Sequence, residues 1–189
     1  MRTLTTPRLQ LRPFAPADWR AFRELAGEWA VARMTSDIPH PLSEEVARNW
    51  MCAAPGETRL AMVLDQHVIG GVGYFQRPSG AGELGFWLGR PWWGRGLTTE
   101  AARAVIEQGF GSDRLPAFAS AHFMDNPASG RVLAKLGFVA VGRTAMWCEA
   151  RASRVDAITY WLERDYDRMH VNHVRGWRVA FDKWSRLFW

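Results

Sequence analysis

Cysteine is scarce in this sequence, and long apolar runs are absent. Only Cys52 and Cys148 occur among 189 residues, without the paired spacing that zinc sites or thioredoxin-type redox pairs need. We interpret them as structural thiols and expect a reduced, cytoplasmic protein. No apolar stretch approaches the ~20 residues of a membrane-spanning helix, and the first residues lack the apolar core of a secretory signal. We therefore expect neither a signal peptide nor a membrane span.

Net charge is also low in the part of the chain before residue 168. The formal net charge is +5, but residues 168–189 contain five basic residues against Asp182 and so carry +4 of it. The preceding 167 residues carry only +1. A nucleic-acid partner is therefore not required by the main part of the chain. The length and the 48% hydrophobic content are those of one globular domain with an appendage.

The last 22 residues have the pattern of an amphipathic helix. Five apolar residues recur there at alternating spacings of three and four: Val174, Trp177, Phe181, Trp184 and Phe188. We interpret this basic helix as docked on the domain or on the second subunit of a homodimer, because an exposed aromatic seam would promote aggregation. Contact with an anionic membrane or with RNA is the alternative. His170 and His173 lack further ligands, so we predict no metal site.

The order of strand and helix patterns predicts an α+β domain. Runs of alternating polarity bounded by turn residues predict seven strands: Arg8–Arg12, Arg59–Leu64, Val68–Phe75, Glu83–Leu88, Phe118–Phe123, Val139–Trp147 and Val155–Leu162. Helical periodicity and caps predict four helices: Pro16–Ala26, a helix capped by Ser43 that buries Val46, Trp50 and Met51, one beginning at Thr98 or Thr99, and one opened by Asn126 and Pro127.

A glycine-containing loop connects the strand Glu83–Leu88 to the next helix. Its Gly94-Arg95-Gly96 sequence allows several backbone N–H groups to point at one spot beside the positive end of a helix. That arrangement suits a phosphate, although an ordinary structural turn has the same composition. No Walker or dinucleotide-binding motif matches the spacing. Adjacent Trp92 and Trp93 cannot both point into a core, so we expect at least one to line a ligand or subunit surface.

Two segments together carry a family resemblance. The first runs from Glu83 to Ala101 through the glycine loop, and the second, residues 125–138, contains the pattern Asn-x-x-Ser followed by Lys-Leu-Gly-Phe. With the opening residues 6–13 and the strand at residues 155–160, they resemble the GNAT superfamily of acyl-CoA-dependent N-acyltransferases, and within it the branch that acetylates the N-terminal alanine or serine of ribosomal proteins. The resemblance implies a GNAT domain over residues 1–167 and a helical extension over residues 168–189.

The resemblance implies a mixed, mostly antiparallel sheet splayed between its fourth and fifth strands, with helices on both faces and acetyl-CoA in the gap. Pantetheine would pair with the fourth strand, and pyrophosphate would lie on the loop and the helix N-terminus. The residues expected to bind acetyl-CoA are Phe86, Trp87, Leu88, Trp93, Gly94, Arg95, Gly96, Leu97, Thr98, Asn126 and Ser129. Pro91 departs from the family pattern, which has Gln or Arg there; because backbone groups supply most anion contacts, we expect binding to persist.

Two residues are expected to be catalytic in a direct attack of an amine on the thioester. Glu83, on the strand that borders the gap, would accept the amine proton through water. Ser129 would assist the leaving thiolate, since Leu133 stands where many relatives have a tyrosine acid. The backbone N–H of Leu88 would face the thioester carbonyl. The alternative bases are Asp125, His122 and Glu149.

The resemblance implies transfer of acetyl from acetyl-CoA to a primary amine, with a protein N-terminal α-amine as the acceptor typical of the branch. The alternative acceptors are small molecules, namely polyamines, amino acids or aminoglycosides. A non-catalytic acyl-CoA-binding module is the alternative outside enzymes. The segment Met34–Pro41, which its prolines keep out of helix, falls where this branch places a lid over its acceptor.

Overall fold

A computed structural model describes residues 3–164. Within that range, one sheet contains eight strands in the order β1-β2-β3-β4-β5-β6-β8-β7. The strands are β1 (Leu4–Thr5), β2 (Gln10–Pro13), β3 (Glu57–Leu64), β4 (His67–Gln76), β5 (Gly82–Leu88), β6 (Ala117–Phe123), β7 (Val139–Cys148) and β8 (Ser153–Glu163). The expected extension over residues 168–189, with its amphipathic helix, His170 and His173, lies outside the described residues.

The sheet divides between β5 and β6. Strands β1 to β5 are joined antiparallel, and β6, β8 and β7 form a second antiparallel set. The two sets share a parallel contact of only two residue pairs, Gly82 with Phe118 and Glu83 with Ala119. This divergence confirms the splay that was expected between the fourth and fifth predicted strands. These two strands are β5 and β6 of the structure, because β1 was not predicted.

Five helices accompany the sheet in the described part of the chain: α1 (Trp19–Ala26), α2 (Trp29–Ala32), α3 (Glu44–Trp50), α4 (Leu97–Gly111) and α5 (Pro127–Lys135). Ser43 caps α3 as predicted, accepting a hydrogen bond from the N–H of Val46 at 3.2 Å. Asn126 caps α5 in the same way through the N–H of Ser129. Helix α4 begins at Leu97, just before the expected start, because Gly96 with φ of 76° ends the loop there.

The predicted burial of Val46 is wrong. Helix α3 has only seven residues, and it turns Ala47 and Trp50, which lie three positions apart, toward the core. Val46 therefore points away from that face, because successive helical residues differ by about 100°, and its side chain is 39% exposed. Met51, just beyond the helix, is partly buried against the same core as expected.

Two apolar cores lie on opposite faces of the sheet. Side chains of β5 alternate between them, as the period of a strand requires. Leu84 and Leu88 pack with α4 and α5, whereas Trp87 packs with α1, α2 and α3 in a core where Phe22 stacks on Trp50 at 4.3 Å. The gap beside β5 therefore lies between a face of the sheet that α4 and α5 cover and a face that α1, α2 and α3 cover.

Three further features of residues 3–164 concern membrane spans, metal ligands and thiols. None of their helices is long and apolar enough to cross a membrane. Nowhere in this range do three or more His, Cys, Asp or Glu side chains gather as metal ligands. Cys148 is buried and lies 3.3 Å from the carbonyl oxygen of Thr35, as expected of a structural thiol, whereas Cys52 is exposed.

Substitution of Gly109 tests the packing of α4 on the sheet. A Cβ at this position would lie 2.4 Å from Cζ of the fully buried Phe118. We expect Gly109→Ala to lower the free energy of unfolding by about 1–3 kcal/mol through overpacking. Gly111→Ala, on the same helix, is the matched control because nothing lies within 4 Å of its Cβ. Urea denaturation should leave the control unchanged or slightly stabilised, and equal stabilities of the two variants would contradict this packing.

Candidate active site

Two adjoining cavities lie beside the gap between β5 and β6, and we refer to them as the two halves of one cleft. The loop half lies against the glycine loop, α4 and α5, and the lid half lies against residues 34–38 and the α1 to α3 face of the sheet. The residues that line both halves are Met34, Thr35, Phe86, Trp87 and Ser129. All residues expected to bind acetyl-CoA except Arg95 line the loop half. Glu83 lines the lid half.

The glycine loop presents bare backbone to the loop half. Gly94 and Gly96 have φ angles of 75° and 76°, which glycine adopts without steric cost. A Cβ at Gly94 would meet nothing within 4 Å. Only one tryptophan of the neighbouring pair points inward. Trp92 packs against the core that contains α4 and α5, whereas Trp93 is 46% exposed and lines the cleft. The loop and the N-terminus of α4 thus form a surface suited to an anion.

Arg8 fixes this loop from the opposite end of the sequence. Its backbone N–H and its Nε donate to the two carboxylate oxygens of Glu100 at 2.8 and 2.6 Å, and its Nη1 donates to the carbonyl of Arg95 at 2.9 Å. Thr6 donates to the same carboxylate at 2.6 Å. Burial raises the pKa of Glu100, but these hydrogen bonds outweigh it and lower the pKa overall. The sequence motif around Arg8 therefore has a structural role beside the anion site.

Backbone groups of β5 alternate between β4 and the gap. The N–H of Gly89 donates to Ile69 on β4 at 2.8 Å, so odd-numbered residues such as Trp87 direct their backbone toward β4. Even-numbered residues direct theirs into the gap, where the carbonyl of Leu84 accepts from Ser120 at 3.0 Å and that of Leu88 accepts from the indole of Trp93 at 2.6 Å. Phe86 and Leu88 therefore offer backbone groups to the cleft, and Trp87 offers its side chain.

Ser129 is held at the start of α5 by its cap. Its backbone N–H donates to Oδ1 of Asn126 at 3.3 Å, and Nδ2 of Asn126 donates to Oγ of Ser129 at 3.1 Å. Because Oγ accepts that bond, its own hydrogen is directed elsewhere. Arg131 and Lys135, one turn apart on α5, also line the loop half; their spacing of four residues was the signal that the sequence prediction overlooked.

Glu83 stands in the lid half with a cation beside it. Nε of Arg77 donates to Oε2 of Glu83 at 2.6 Å, and the two side chains are only 19% and 18% exposed. Burial raises the pKa of Glu83, while the charge and hydrogen bond of Arg77 act in the opposite direction and do not cancel it. The second carboxylate oxygen is the one available for proton transfer.

The three alternative bases have different surroundings. Asp125 lines the loop half but pairs with Arg33 and Arg151 at 3.1 and 2.9 Å. His122 lines the lid half, and its Nδ1 donates to the carbonyl of Phe123 at 2.7 Å, which leaves Nε2 facing the Tyr160 hydroxyl at 3.2 Å. Glu149 is exposed and lines neither half.

Asp37 is a cleft residue that the sequence prediction missed. It lies in the segment between α2 and α3, lines the lid half, and accepts a hydrogen bond from Nε1 of Trp50 at 2.6 Å. Burial raises the pKa of Asp37 to about 6, although the hydrogen bond from Trp50 and the charge of Arg59 oppose the rise. In the sequence, an aspartate among Ser, Thr and Pro residues is indistinguishable from a solvated loop residue.

Comparison with known proteins identifies the family of this fold and site. Residues 8–139 match the family described as acetyltransferase (GNAT) domain, which is more than half of the chain. The chain therefore belongs to the GNAT acetyltransferases, and it is an N-acetyltransferase.

Individual relatives resemble this chain in sequence or in fold. The chain is 26% identical over 151 residues to the L-amino acid N-acetyltransferase AaaT of Escherichia coli (strain K12), which covers 78% of this chain and 91% of that protein. A GNAT-family acetyltransferase from Bacillus anthracis has a TM-score of 0.76 at 21% identity, over 86% of this chain and 98% of that one. RimL, a ribosomal L7/L12 α-N-protein acetyltransferase in complex with coenzyme A, has a TM-score of 0.74 at 16% identity, over 88% and 100% of the two chains.

The Arg8 contacts predict an effect on coenzyme A binding. Without Arg8, the loop loses its bond at Arg95, and Glu100 becomes an unpaired negative charge beside the anion surface. We expect Arg8→Ala to weaken coenzyme A binding about tenfold, equivalent to about 1.4 kcal/mol. Arg143→Ala, on the exposed part of β7, is the control and should bind as the unmodified protein does. Isothermal titration calorimetry measures both, and a dissociation constant unchanged by Arg8→Ala would refute the positioning role.

Proposed function

We propose that the protein transfers an acetyl group from acetyl-CoA directly to a primary amine bound in the same cleft. The five residues that line both halves beside the split in the sheet carry this proposal. The loop half opens on the face of α4 and α5, and the lid half opens on the face of α1 to α3, so that a thioester and an amine can enter from opposite faces and meet beside β5. Holding both reactants in one site makes the attack effectively intramolecular.

Three features of the loop half suit acetyl-CoA. The backbone at Gly94 and the N-terminus of α4 offer N–H donors to a pyrophosphate. The backbone groups of Phe86 offer hydrogen bonds to pantetheine in the manner of an added strand, and the N–H of Leu88 is left for the thioester. Arg131 and Lys135 offer positive charge to the remaining phosphate. The coenzyme A complex of the RimL structure supports the same assignment.

Glu83 is the proposed proton acceptor. The attacking amine must be neutral, and an α-amine with a pKa near ~8 reaches that state far more readily than a lysine amine near ~10.4. Burial raises the pKa of Glu83, which brings it closer to that of the amine and makes it a stronger base. A water molecule between the carboxylate and the amine would carry the proton.

The other charges of the reaction would develop beside Leu88 and the start of α5. The backbone N–H of Leu88 is the proposed donor to the oxyanion of the tetrahedral intermediate. The departing thiolate would form near the positive end of α5, where the hydroxyl of Ser129 can donate to it. The bond from Asn126 to Ser129 keeps that hydroxyl in place.

Two acceptor classes have support from relatives. The RimL likeness favours a protein N-terminal α-amine, as the sequence motifs do, and the AaaT likeness favours a free amino acid. A non-catalytic acyl-CoA-binding module is favoured only by Leu133 at the tyrosine position, and the presence of Glu83 and Ser129 beside the gap opposes it.

Acetyl-CoA turnover tests the proposed reaction. Free thiol release should exceed the background hydrolysis rate with at least one member of a panel of N-terminal peptides, L-amino acids, polyamines and aminoglycosides. Calorimetry on the same samples should show acetyl-CoA binding. Tight binding without turnover on any acceptor would contradict catalysis and favour the binding module.

Substitution tests the two catalytic roles. We expect Glu83→Gln and Ser129→Ala each to lower kcat/KM at least tenfold, which corresponds to about 1.4 kcal/mol of transition-state stabilisation. Glu83→Gln should leave acetyl-CoA binding little changed. Glu149→Gln, at an exposed carboxylate outside the cleft, is the matched control. The acidic limb of kcat should lie above the usual range of glutamate because burial raises the pKa of Glu83, and it should vanish in Glu83→Gln. Values within threefold of the unmodified enzyme would refute either role.

A further inference from the structure

One of the two carboxylates that line the lid half, Asp37, has no ion pair within residues 3–164, although the charge of Arg59 acts on it at longer range. Glu83 pairs with Arg77 at 2.6 Å, and Nε of Arg59 donates to Glu57 at 2.8 Å. Asp37 forms no ion pair with any residue in that range and is held instead by the neutral indole of Trp50 at 2.6 Å. A carboxylate has acceptor capacity for several hydrogen bonds, so a ligand can occupy the remainder. Its charge makes an ammonium the complementary group.

Trp50 gives Asp37 a fixed position. The indole stacks on the fully buried Phe22 at 4.3 Å and belongs to the core under α1 and α3. A carboxylate held by a packed side chain loses little freedom when it binds a ligand. The apolar side chains of Ile38, Phe86 and Met146 line the same half, so an ammonium there would lie beside apolar surface.

An unpartnered donor lies in the same half. Nε1 of Trp87 is buried, has no hydrogen-bond partner in the described part of the chain, and belongs to a side chain that is only 5% exposed. It lies over Gly71, where a Cβ would come within 2.4 Å of it, and both residues line the lid half. Buried indole donors are normally paired, so this N–H would gain its missing partner if a ligand oxygen entered beside it.

We propose that Asp37 binds the ammonium of an acceptor that carries a carbonyl oxygen on the carbon next to its amine-bearing carbon, and that the indole N–H of Trp87 donates to that oxygen. Free amino acids, their amides and peptide N-termini share this group, whereas polyamines lack it. The inference rests on the proposed function and narrows its acceptor. Asp37 and Trp87 are specificity-determining residues in this account. The nitrogen of the bound ammonium loses two protons overall: one passes to Glu83 before the attack, and the other ends on the departing thiolate as the C–N bond replaces the C–S bond.

Asp37→Asn tests the ammonium contact, with L-phenylalanine amide as the probe. The amide oxygen of asparagine can still accept from Trp50, so the lid segment keeps its anchor. We expect KM for the probe to rise at least tenfold, with a smaller change in kcat and none in acetyl-CoA affinity. Asp65→Asn, in the exposed turn between β3 and β4, is the matched control. A KM within threefold of the unmodified enzyme would overturn the role of Asp37.

The pH dependence of KM separates binding from a purely structural role. Asp37 is charged above its pKa of about 6, so KM should rise as pH falls through that value. This acidic limb of the KM profile should be absent in Asp37→Asn. The groups that face Asp37 are Trp50 on α3 and Arg59 and Glu57 on β3, and Glu83 and His122 line the same half. A limb that persists unchanged in Asp37→Asn would assign it to another of these groups and contradict the proposal.

A pair of probes tests the indole donor. L-Phenylalanine amide and 2-phenylethylamine share the ring and the amine, but only the first has a carbonyl. We expect Trp87→Phe to reduce the ratio of their kcat/KM values at least fivefold relative to the unmodified enzyme, and comparing this ratio between enzymes cancels the different basicities of the amines. An unchanged ratio would overturn the role of Trp87.

Equilibrium binding distinguishes failure of this inference from failure of the proposed reaction. Calorimetry should detect L-phenylalanine amide binding to the coenzyme A-loaded protein and at least tenfold weaker binding to Asp37→Asn. If this holds without turnover, the proposed reaction fails and the binding role of Asp37 stands. Absence of probe binding to the unmodified protein would overturn the inference.

Discussion

The site depends on the short parallel contact between β5 and β6. Pairing stops after Glu83 and Ala119, and the carbonyls of β5 beyond that point turn to side chains, with Ser120 donating to Leu84 and Trp93 donating to Leu88. Unpaired backbone inside a protein must find partners, so a strand edge exposed in a cleft is a natural place for a ligand with its own amide groups. The two helical layers then cover opposite faces and leave the gap as the route between them.

Contacts between distant parts of the sequence hold the two halves around this gap. Arg8 fixes the glycine loop at the carbonyl of Arg95 and the start of α4 at Glu100, 92 positions away. Arg151 donates to the carbonyl of Arg33 at 2.8 Å, and both arginines pair with Asp125 at the start of α5. The segment before Asp37 is thus tied to the helix that carries Ser129. Exposed ion pairs contribute little stability singly, so their importance here is geometric, in keeping lid, loop and α5 in register.

The sequence was most informative where local chemistry decides structure. Alternation predicted β3 to β5, side-chain capping predicted the starts of α3 and α5, and the family motifs predicted the splayed sheet and ten of the twenty residues that line the loop half. Strand β1 and helix α2 were missed because two and four residues carry no measurable period. Asp37 and the role of Arg8 were missed because both depend on tertiary contacts, with Trp50 in one case and Glu100 in the other, that no local pattern encodes.

The central claim is that acetyl-CoA and the acceptor meet in the gap between β5 and β6. A crystal structure of the protein with acetyl-CoA and L-phenylalanine amide tests it most directly. The account predicts pyrophosphate against Gly94 and the start of α4, pantetheine alongside Phe86 and Leu88, and the amine between Asp37 and Glu83 with the thioester within reach. Acetyl-CoA bound outside the gap, or an amine separated from the thioester by β5, would contradict it.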